Sequence, residues 1–252
     1  PLDPSKNVAG VALNALLVAY KKNIGFEVFI KKHIKPGSGL GSSAASAAGV
    51  VVAANYLLDN FFSKEDLVRF GMCGEELASG VKHADNIAPC IYGSITLIRS
   101  LDPLDIVPLI SPPMYITVVH PQIEVKTSYA REILPKQILL KDAILQWANI
   151  AGLVAGLLKS DYELIGRSLE DIIIEPVRSV LIPGFSELKA RCKEVGVLGG
   201  GISGSGPSVF FMAKERNIAQ EMETIMIDTY NKLGIDYKTY VTSINSKGIE
   251  IM

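Results

Sequence analysis

Three glycines at alternate positions, Gly37, Gly39 and Gly41, stand directly before a long uncharged stretch that begins SSAA. Glycine has no Cβ atom, so this segment can bring its backbone close to a bulky anion. The stretch AASAAGVVVAANYLL (44–58) predicts a buried helix, because it is apolar nearly all round. The unpaired amides and the positive dipole end of that helix would face the same anion, so the sequence predicts a phosphate-binding loop.

Two better-known phosphate loops do not match this segment. A Walker A loop needs a lysine directly after its last glycine, and none is present here. A Rossmann fingerprint needs GxGxxG after a buried strand. When the motif is counted from Gly37, its third glycine falls on Ser42, and the preceding segment 24–34 alternates as a half-buried strand does. A simple glycine turn before a buried helix stays an alternative. The paired serines favour phosphate, and a serine hydroxyl there can also bind Mg²⁺.

Composition excludes several classes of protein. The 252 residues have a net charge of −1, which argues against a nucleic-acid binder or a binder of anionic membranes. With 20% charged and 48% hydrophobic residues the chain is not disordered. Its three cysteines form no CxxC pair, so we do not expect a zinc knuckle or a disulfide framework. We expect the protein to occur in a reducing compartment. The uncharged stretch 37–58 does not predict a membrane span, because its apolar part is short and is interrupted by Ser46, Gly49 and Asn55. We interpret Trp147 and the cysteines as packing or incidental residues.

The order of predicted elements indicates an α+β protein with two halves. The proline-rich segment LDPLDIVPLISPP (101–113) predicts a boundary, which we place between domains 1–105 and 106–252. Strands with one polar face favour sheets covered on one side. The predicted helices are 7–20, 44–58, 64–79 with a cap at Ser63, 138–158, 161–174, 184–195 and 216–233, and the predicted strands are 24–34, 92–100, 114–121, 209–213, 237–243 and 248–252.

The segment PGSGLGSSAA (36–45) resembles the nucleotide-phosphate loop of the GHMP kinase superfamily. Within that superfamily the chain is most similar to the homoserine kinases. The further supporting segments occur in the expected order: HADNIAP (83–89), KTSYAREILP (126–135), EPVRSVLIPGF (175–185) and GISGSGPS (201–208). The resemblance implies a two-domain fold, with an N-terminal half like ribosomal protein S5 and a C-terminal half that is a ferredoxin-like α/β sandwich.

The resemblance also implies an activity. It is the transfer of the γ-phosphate of ATP to L-homoserine, giving O-phospho-L-homoserine for threonine biosynthesis, with Mg²⁺ as the metal. We expect a cytoplasmic enzyme with a small-molecule substrate and with neither nucleic acid nor membrane as partner. A homodimer is left open.

The resemblance assigns the nucleotide and metal residues. Ser43 and Glu75 are expected to hold Mg²⁺ between the phosphates. By itself Glu75 would be interpreted as a solvated helix acid like its neighbour Glu76, and its position eight residues before His83 favours the metal role. Asn7 is expected near the adenine, where an N-cap role explains it equally well. The remaining ATP-binding residues are Lys35, Pro36, Gly37, Ser38, Gly39, Leu40, Gly41, Ser42, Ser43, Ala44 and Ala45.

The resemblance places six residues at the substrate: His83, Asn86, Thr127, Arg131, Arg178 and Gly204. Asn86 is expected to position the alcohol, and Ser43, Glu75 and Asn86 are the expected catalytic residues. The arginines offer a planar fork that matches a carboxylate, and surface ion pairs are their alternative role. We treat Asp85 as a structural carboxylate, because homoserine kinases are thought to work without a dedicated base.

Other functions stay open. A sister kinase would phosphorylate mevalonate, phosphomevalonate or a sugar. A non-catalytic relative would bind a ligand, and a nucleic-acid module is disfavoured by the neutral charge. Homoserine kinases begin with a strand and loop whose Asn and Asp bind the substrate amino group, and no such segment precedes Pro1. We expect a chain truly without it to bind homoserine poorly.

Overall fold

The computed structural model describes residues 2–125 and 127–252, without the side chains of Thr127 and Ser128. The chain divides into two compact units. The first contains the residues up to Pro36 together with Gly41–Leu109 and Asn245–Met252, and the second contains Gly37–Leu40 and Ile110–Ile244. The domain boundary predicted between residues 105 and 106 stays a prediction.

The first unit combines helices with a two-stranded antiparallel sheet. Its helices surround a core rich in alanine, leucine and valine. The elements are a 3₁₀ turn Pro4–Lys6, α1 Val8–Tyr20, α2 Ser42–Leu57, α3 Lys64–Ser79, α4 Ile87–Tyr92, β1 Ile95–Leu101 and β2 Leu104–Leu109.

Small residues let the helices of the first unit approach closely. At Gly74 of α3, a Cβ atom would lie 2.4 Å from the Val8 carbonyl oxygen of α1 and 3.0 Å from Cβ of Ala47 in α2. Only glycine fits at that crossing. Helix α3 is started by a capping box, in which Ser63 and Asp66 bond each other's backbone amides as the sequence predicts.

The second unit is built on a four-stranded antiparallel sheet with strand order β4-β5-β3-β6. Helices α9 and α10 bury apolar side chains such as Leu188 and Met226 against it, and Phe211 of the sheet lies in the same core. Its elements are β3 Tyr115–Pro121, α5 Thr127–Glu132, α6 Leu140–Lys159, α7 Tyr162–Ser168, α8 Glu175–Arg178, a 3₁₀ turn Ser179–Leu181, α9 Phe185–Glu194, β4 Gly199–Ile202, β5 Val209–Ala213, α10 Arg216–Leu233 and β6 Tyr237–Ser243.

Two strand predictions are wrong. Residues 24–34 and 248–252 alternate as strands do, but neither segment belongs to a strand. Alternation becomes a strand only where a neighbouring backbone supplies hydrogen bonds. On the face that the pattern predicts to be buried, Ile24, Val28 and Ile30 are each more than 40% exposed, although Phe26 packs against the core.

Strands β2 and β4 were not predicted. Strand β2 lies inside the proline-rich segment taken as a linker, and β4 has the sequence GGGI, which suggests a loop. The structure explains the glycines of β4. A Cβ on Gly200 would lie 2.1 Å from the Phe210 carbonyl oxygen, so tight pairing with β5 requires glycine.

Two predictions from composition can be compared with the structure. Within the described parts of the chain, no helix is both long and apolar enough to cross a membrane. The three cysteines are free thiols, and burial raises the pKa of Cys192 to about 12. Such a thiol is unreactive at neutral pH.

A buried ion pair joins α8 to α9 in the second unit. The Lys189 ammonium donates a hydrogen bond to the Glu175 carboxylate, and the two side chains are 18% and 11% exposed. Gly201 of β4 leaves room for this carboxylate, because a Cβ there would lie 2.5 Å from Glu175 Oε2. Burial raises the pKa of Glu175, and the bond and charge of Lys189 act in the opposite direction.

We expect Lys189→Met to lower the free energy of unfolding by about 3 kcal/mol at pH 7, because it leaves a buried carboxylate without a partner. In this variant, burial keeps the pKa of Glu175 above the value that it has in the unfolded chain. The variant's free energy of unfolding therefore falls as pH rises from the unfolded pKa of Glu175 to its folded pKa. The loss should therefore shrink on acidification. Urea denaturation at neutral and acidic pH measures both effects. The double variant Glu175→Gln/Lys189→Met should recover part of the loss, and a Lys189→Met protein as stable as the parent would contradict the argument.

Candidate active site

The glycine loop has the backbone of an anion-binding turn. Gly37, Gly39 and Gly41 have φ values of 75°, 78° and 67°, which lie in the left-handed region that favours glycine. Ser38 and Leu40 between them are not among the residues with positive φ. When residues with positive φ alternate with residues of ordinary φ, successive backbone N–H groups point toward the same side of the loop.

The second glycine loop holds the first by hydrogen bonds. Ser208 Oγ donates to the Ser38 carbonyl oxygen at 2.6 Å, and Ser203 Oγ donates to the Gly39 carbonyl oxygen at 2.8 Å. Ser38 and Ser208 are both fully buried. The carbonyls of the loop are thus bonded to its support, which fixes the loop in place. Ser203 and Ser208 were not predicted as site residues, although both lie in the segment GISGSGPS (201–208) that resembles the kinases.

Gly39→Ala should disrupt the loop more than any other alanine substitution in it. The added Cβ would lie 2.5 Å from the Ser203 carbonyl oxygen and 2.7 Å from that of Gly206, and φ is +78°. We expect at least a tenfold loss of ATP affinity, equivalent to about 1.4 kcal/mol, measured by titration calorimetry. Gly37→Ala is the matched control: its φ is also positive, but no atom lies within 4 Å of its added Cβ. Equal affinities for the two variants would contradict the packing argument.

Helix α2 begins with its first amides uncapped by any side chain. Its N-cap residue is Gly41, which makes no side-chain capping bond. The buried Ser42 directs its hydroxyl to the Ile34 carbonyl oxygen at 2.8 Å, whereas Ser43 is only half-buried. An uncapped helix N-terminus attracts an anion, and of the paired serines Ser43 is the better placed to reach one.

Glu75 of α3 is buried, with 3% of its surface exposed. Its Oε2 lies 3.6 Å from His83 Nε2, while its Oε1 is buried and has no hydrogen-bond partner among the described residues. The preceding residue, Gly74, contacts Ala47, which is one helical turn after Ser43. In contrast, the neighbouring Glu76 is exposed and pairs with Lys82 at 3.7 Å. A buried carboxylate oxygen without a partner is costly unless a ligand binds it, which distinguishes Glu75 from a solvated helix acid.

His83 lies between two carboxylates and a hydroxyl. Its Nδ1 is 2.8 Å from Asp85 Oδ1, and its Nε2 is 3.0 Å from Ser79 Oγ. The hydrogen bond from His83 lowers the pKa of Asp85. Asp85 therefore orients the imidazole ring, as expected of a structural carboxylate.

Asn86 is brought next to the end of the glycine loop. It is the N-cap residue of α4 and makes no capping hydrogen bond with its side chain. A Cβ on Gly41 would lie 3.4 Å from Asn86 Oδ1. The side chain thus lies beside Gly41, the N-cap residue of α2.

In the second unit, Arg178 connects three segments. Its Nε donates to the Ala130 carbonyl oxygen of α5 and its Nη1 to that of Gly204, each at 3.0 Å. Burial and the nearby Arg131 lower the pKa of Arg178. Because Ala130 directly precedes Arg131, the hydrogen bond to its carbonyl brings Arg178 near the second predicted carboxylate-binding arginine. Arg178 also lines a cavity of about 220 Å³, together with Asp171 and Gly204.

Asp171 is a functional candidate that the sequence did not reveal. Its carboxylate accepts hydrogen bonds from the amides of Ile173, Ile174 and Glu175 at 2.8–3.2 Å, and so caps the short helix that carries Arg178. The sequence predicts one helix over 161–174, which would place Asp171 inside that helix. In the structure α7 ends at Ser168, so Asp171 lies between α7 and α8.

The other predicted residues have simpler surroundings. Asn7 caps α1 through the Ala9 amide at 3.0 Å. Lys35, Pro36 and Ala45 are exposed, and Ala44 is buried in the core. Thr127 is the first residue of α5, and its side chain lies outside what the structure describes.

Family models of the GHMP kinases match most of both units. The model of the GHMP kinases N terminal domain matches residues 7–94, and the model of the GHMP kinases C terminal matches residues 153–232. The chain belongs to the GHMP kinase family. The two-domain α+β fold and the superfamily predicted from the sequence are therefore confirmed.

Individual members of the GHMP kinase family match all or nearly all of the chain. A homoserine kinase of Chloroherpeton thalassium is 44% identical over 100% of this chain and 82% of the relative. A homoserine kinase of Methanococcus maripaludis is 40% identical over 92% of this chain and 76% of the relative. The crystal structure of homoserine kinase from Cytophaga hutchinsonii superimposes with a TM-score of 0.95 at 47% identity, covering 98% of this chain and 79% of that one. The predicted similarity to homoserine kinases is confirmed.

Proposed function

We propose that this GHMP kinase is a homoserine kinase. It transfers the γ-phosphate of ATP to the side-chain hydroxyl of L-homoserine and releases ADP and O-phospho-L-homoserine. The homoserine kinase relatives, which are 40–44% identical and match nearly all of the chain, support this substrate. The observation that carries the kinase chemistry is the unpartnered Oε1 of buried Glu75 near the start of α2.

Glu75 and Ser43 fit a magnesium site. A carboxylate and a hydroxyl are oxygen ligands of the kind that Mg²⁺ prefers, and in the part of the chain that the structure describes Glu75 Oε1 has no hydrogen-bond partner. Within the described residues, no cluster of three or more His, Cys, Asp or Glu side chains could hold a metal by itself. A site of two protein oxygens suits an ion that arrives with phosphate oxygens and water. When bound, Mg²⁺ would neutralise the charge that develops between the β- and γ-phosphates.

The glycine loop and the first turn of α2 would hold the phosphates of ATP. Both offer backbone N–H groups rather than charged side chains, and such fixed dipoles need no reorganisation as negative charge develops. The second glycine loop, through Ser203 and Ser208, keeps the first in shape. This proposal includes the ATP residues predicted from the sequence.

The acceptor would be positioned by amide, imidazole and guanidinium groups. Asn86 can bond the homoserine hydroxyl without changing charge, and its contact with Gly41 keeps it beside the start of α2. His83, oriented by Asp85, would contact the substrate as well. Arg131 and Arg178 would bind the carboxylate, because Arg178 bonds the carbonyl of the residue before Arg131 and two guanidinium groups in one region form a strong anion site. Phosphoryl transfer needs mainly such positioning and charge stabilisation.

The direct test is phosphotransfer by the protein expressed from its complete open reading frame. ADP release with MgATP should depend on L-homoserine, and ³¹P NMR should identify the phosphate ester. Mevalonate and galactose are the comparison acceptors. Faster turnover of either would support a sister kinase. ATP binding with no turnover of any acceptor would support a non-catalytic relative instead.

A further inference from the structure

Two side chains of helix α6 hold the loop between α7 and α8. This segment, 169–174, contains neither helix nor strand, and we call it the α7–α8 loop. Gln146 Oε1 accepts a hydrogen bond from the Ile172 amide at 3.0 Å. Asn149 Nδ2 donates a hydrogen bond to the Glu170 carbonyl oxygen at 2.9 Å. The two bonds therefore attach the loop to α6 at two points.

The backbone partners fix the chemical direction of these two hydrogen bonds. A backbone N–H group can only donate, so the Gln146 atom that faces Ile172 is the side-chain oxygen. A carbonyl oxygen can only accept, so the Asn149 group that faces Glu170 is the side-chain NH₂. Gln146 and Asn149 are three residues apart and so lie on one face of α6. Together they form one attachment, in which one side chain accepts and the other donates.

Both attached residues are neighbours of Asp171 in the chain. Asp171 lies between Glu170 and Ile172, and its carboxylate caps α8 by accepting hydrogen bonds from three backbone amides. Helix α8 contains only the four residues Glu175–Arg178, so it has too few internal hydrogen bonds to be stable by itself. The position of α8 therefore follows its cap, and the position of the cap follows the two bonds from α6.

Packing leaves the α7–α8 loop dependent on these bonds. The cavity of about 220 Å³ that Arg178 lines is shared by α6 and the loop, through Ile150, Leu153, Asp171 and Ile174. Protein interiors are usually filled as densely as organic crystals, whereas side chains on opposite walls of a cavity make no contact that fixes their separation. Hydrogen bonds rather than close packing therefore set the distance between α6 and the loop in this region.

We propose that Gln146 and Asn149 are positioning residues for the carboxylate of the substrate. They hold the loop whose Asp171 caps the helix that carries Arg178, and neither side chain touches the substrate itself. This inference rests on the proposed role of Arg178 in binding the homoserine carboxylate. A guanidinium fork matches a carboxylate in one planar geometry, so a small displacement weakens the contact. The two α6 residues should therefore affect the KM for homoserine and leave kcat and the KM for ATP unchanged.

Substitutions at the two α6 positions test the hydrogen bonds separately from charge. Asn149→Asp places a carboxylate oxygen opposite the Glu170 carbonyl, so a donor is lost and two acceptors face each other. Gln146→Glu adds the same charge but still accepts from the Ile172 amide, whereas Gln146→Met removes that acceptor. We expect Asn149→Asp and Gln146→Met to raise the KM for homoserine about fivefold to tenfold, and Gln146→Glu to change it less than about twofold. Steady-state kinetics in which Asn149→Asp keeps the parent KM, or in which Gln146→Glu raises KM as much as Asn149→Asp does, overturns the proposal.

A double variant tests whether the effect passes through Arg178. In an Arg178→Leu background, Asn149→Asp should change the KM for homoserine by less than about twofold, because the group that Asn149 positions is absent. In the parent background, Asn149→Asp should also lower the preference for L-homoserine over 3-amino-1-propanol, which lacks the carboxylate. A loss of stability alone would lower the activity toward both acceptors equally. An effect of Asn149→Asp on KM that is equal in the two backgrounds overturns the positioning role.

Amide hydrogen exchange separates this inference from the proposed function, because the measurement needs no turnover. The amides of Ile173 and Ile174 are bonded to Asp171. Their exchange should be at least about fivefold faster in Asn149→Asp than in the parent protein or in Gln146→Glu. A parent protein that phosphorylates no homoserine would contradict the proposed function, whereas unchanged exchange in Asn149→Asp would overturn the positioning of the loop by α6.

Discussion

Replacing Glu75 with Gln is expected to lower kcat for homoserine phosphorylation by roughly 100- to 1,000-fold, the range found when one group that stabilises transition-state charge is removed. The amide keeps the shape of the side chain but loses the negative charge proposed to hold Mg²⁺. The KM for homoserine should change by less than about threefold, because the variant removes stabilisation of the transition state rather than ground-state binding. Steady-state kinetics at saturating ATP, repeated over a range of Mg²⁺ concentrations, measures both quantities.

Neighbouring residues provide the controls for Glu75. Glu76→Gln changes an exposed acid that pairs with Lys82 and should keep kcat within about twofold. Ser43→Ala should lower kcat in the same way as Glu75→Gln, whereas Ser42→Ala should act through stability, because the Ser42 hydroxyl bonds Ile34. A Glu75→Gln enzyme with normal kcat and normal Mg²⁺ dependence would contradict the metal assignment and leave the buried Oε1 unexplained.

Replacing Arg178 with Leu is expected to raise the KM for homoserine by roughly 100-fold, since a bidentate charge-assisted contact is worth about 3 kcal/mol. Arg131→Leu should raise it less, by about tenfold. Arg178 also bonds the carbonyls of Ala130 and Gly204, so its loss releases α5 and the second glycine loop as well as the substrate. Arg178→Lys should recover little of the effect, because an ammonium lacks the planar fork.

A substrate without the carboxylate separates binding from structural damage. The parent enzyme should prefer L-homoserine over 3-amino-1-propanol in kcat/KM, and in Arg178→Leu this preference should largely disappear. If Arg178 only supported the fold, both acceptors would lose activity in the same proportion and the preference would persist. Thermal unfolding of the variant shows how much stability the contacts with Ala130 and Gly204 contribute. An unchanged KM for homoserine in both arginine variants would contradict the carboxylate assignment.

Local sequence patterns determined most of the helices and the position of the phosphate loop. Ser63 with Asp66 is a capping box because both partners lie within one turn, and the glycines at 37, 39 and 41 permit the left-handed backbone that the loop adopts. The similarity of five short segments to one superfamily was also contained in the sequence. These signals depend on neighbours within a few residues, so they can be recognised without a fold.

Tertiary structure alone decided which residues meet across long distances in the chain. Glu75 differs from Glu76 only because α1, α2 and α3 cross at Gly74 and bury one of the two carboxylates. Ser208 reaches Ser38 across 170 residues, and Asp171 caps the helix of Arg178 only because α7 ends early. The strand predicted at 24–34 failed for the same reason: a strand needs a bonded neighbour, and alternation in one segment does not supply it. Burial and pairing are properties of two chain segments together, so no single segment can encode them.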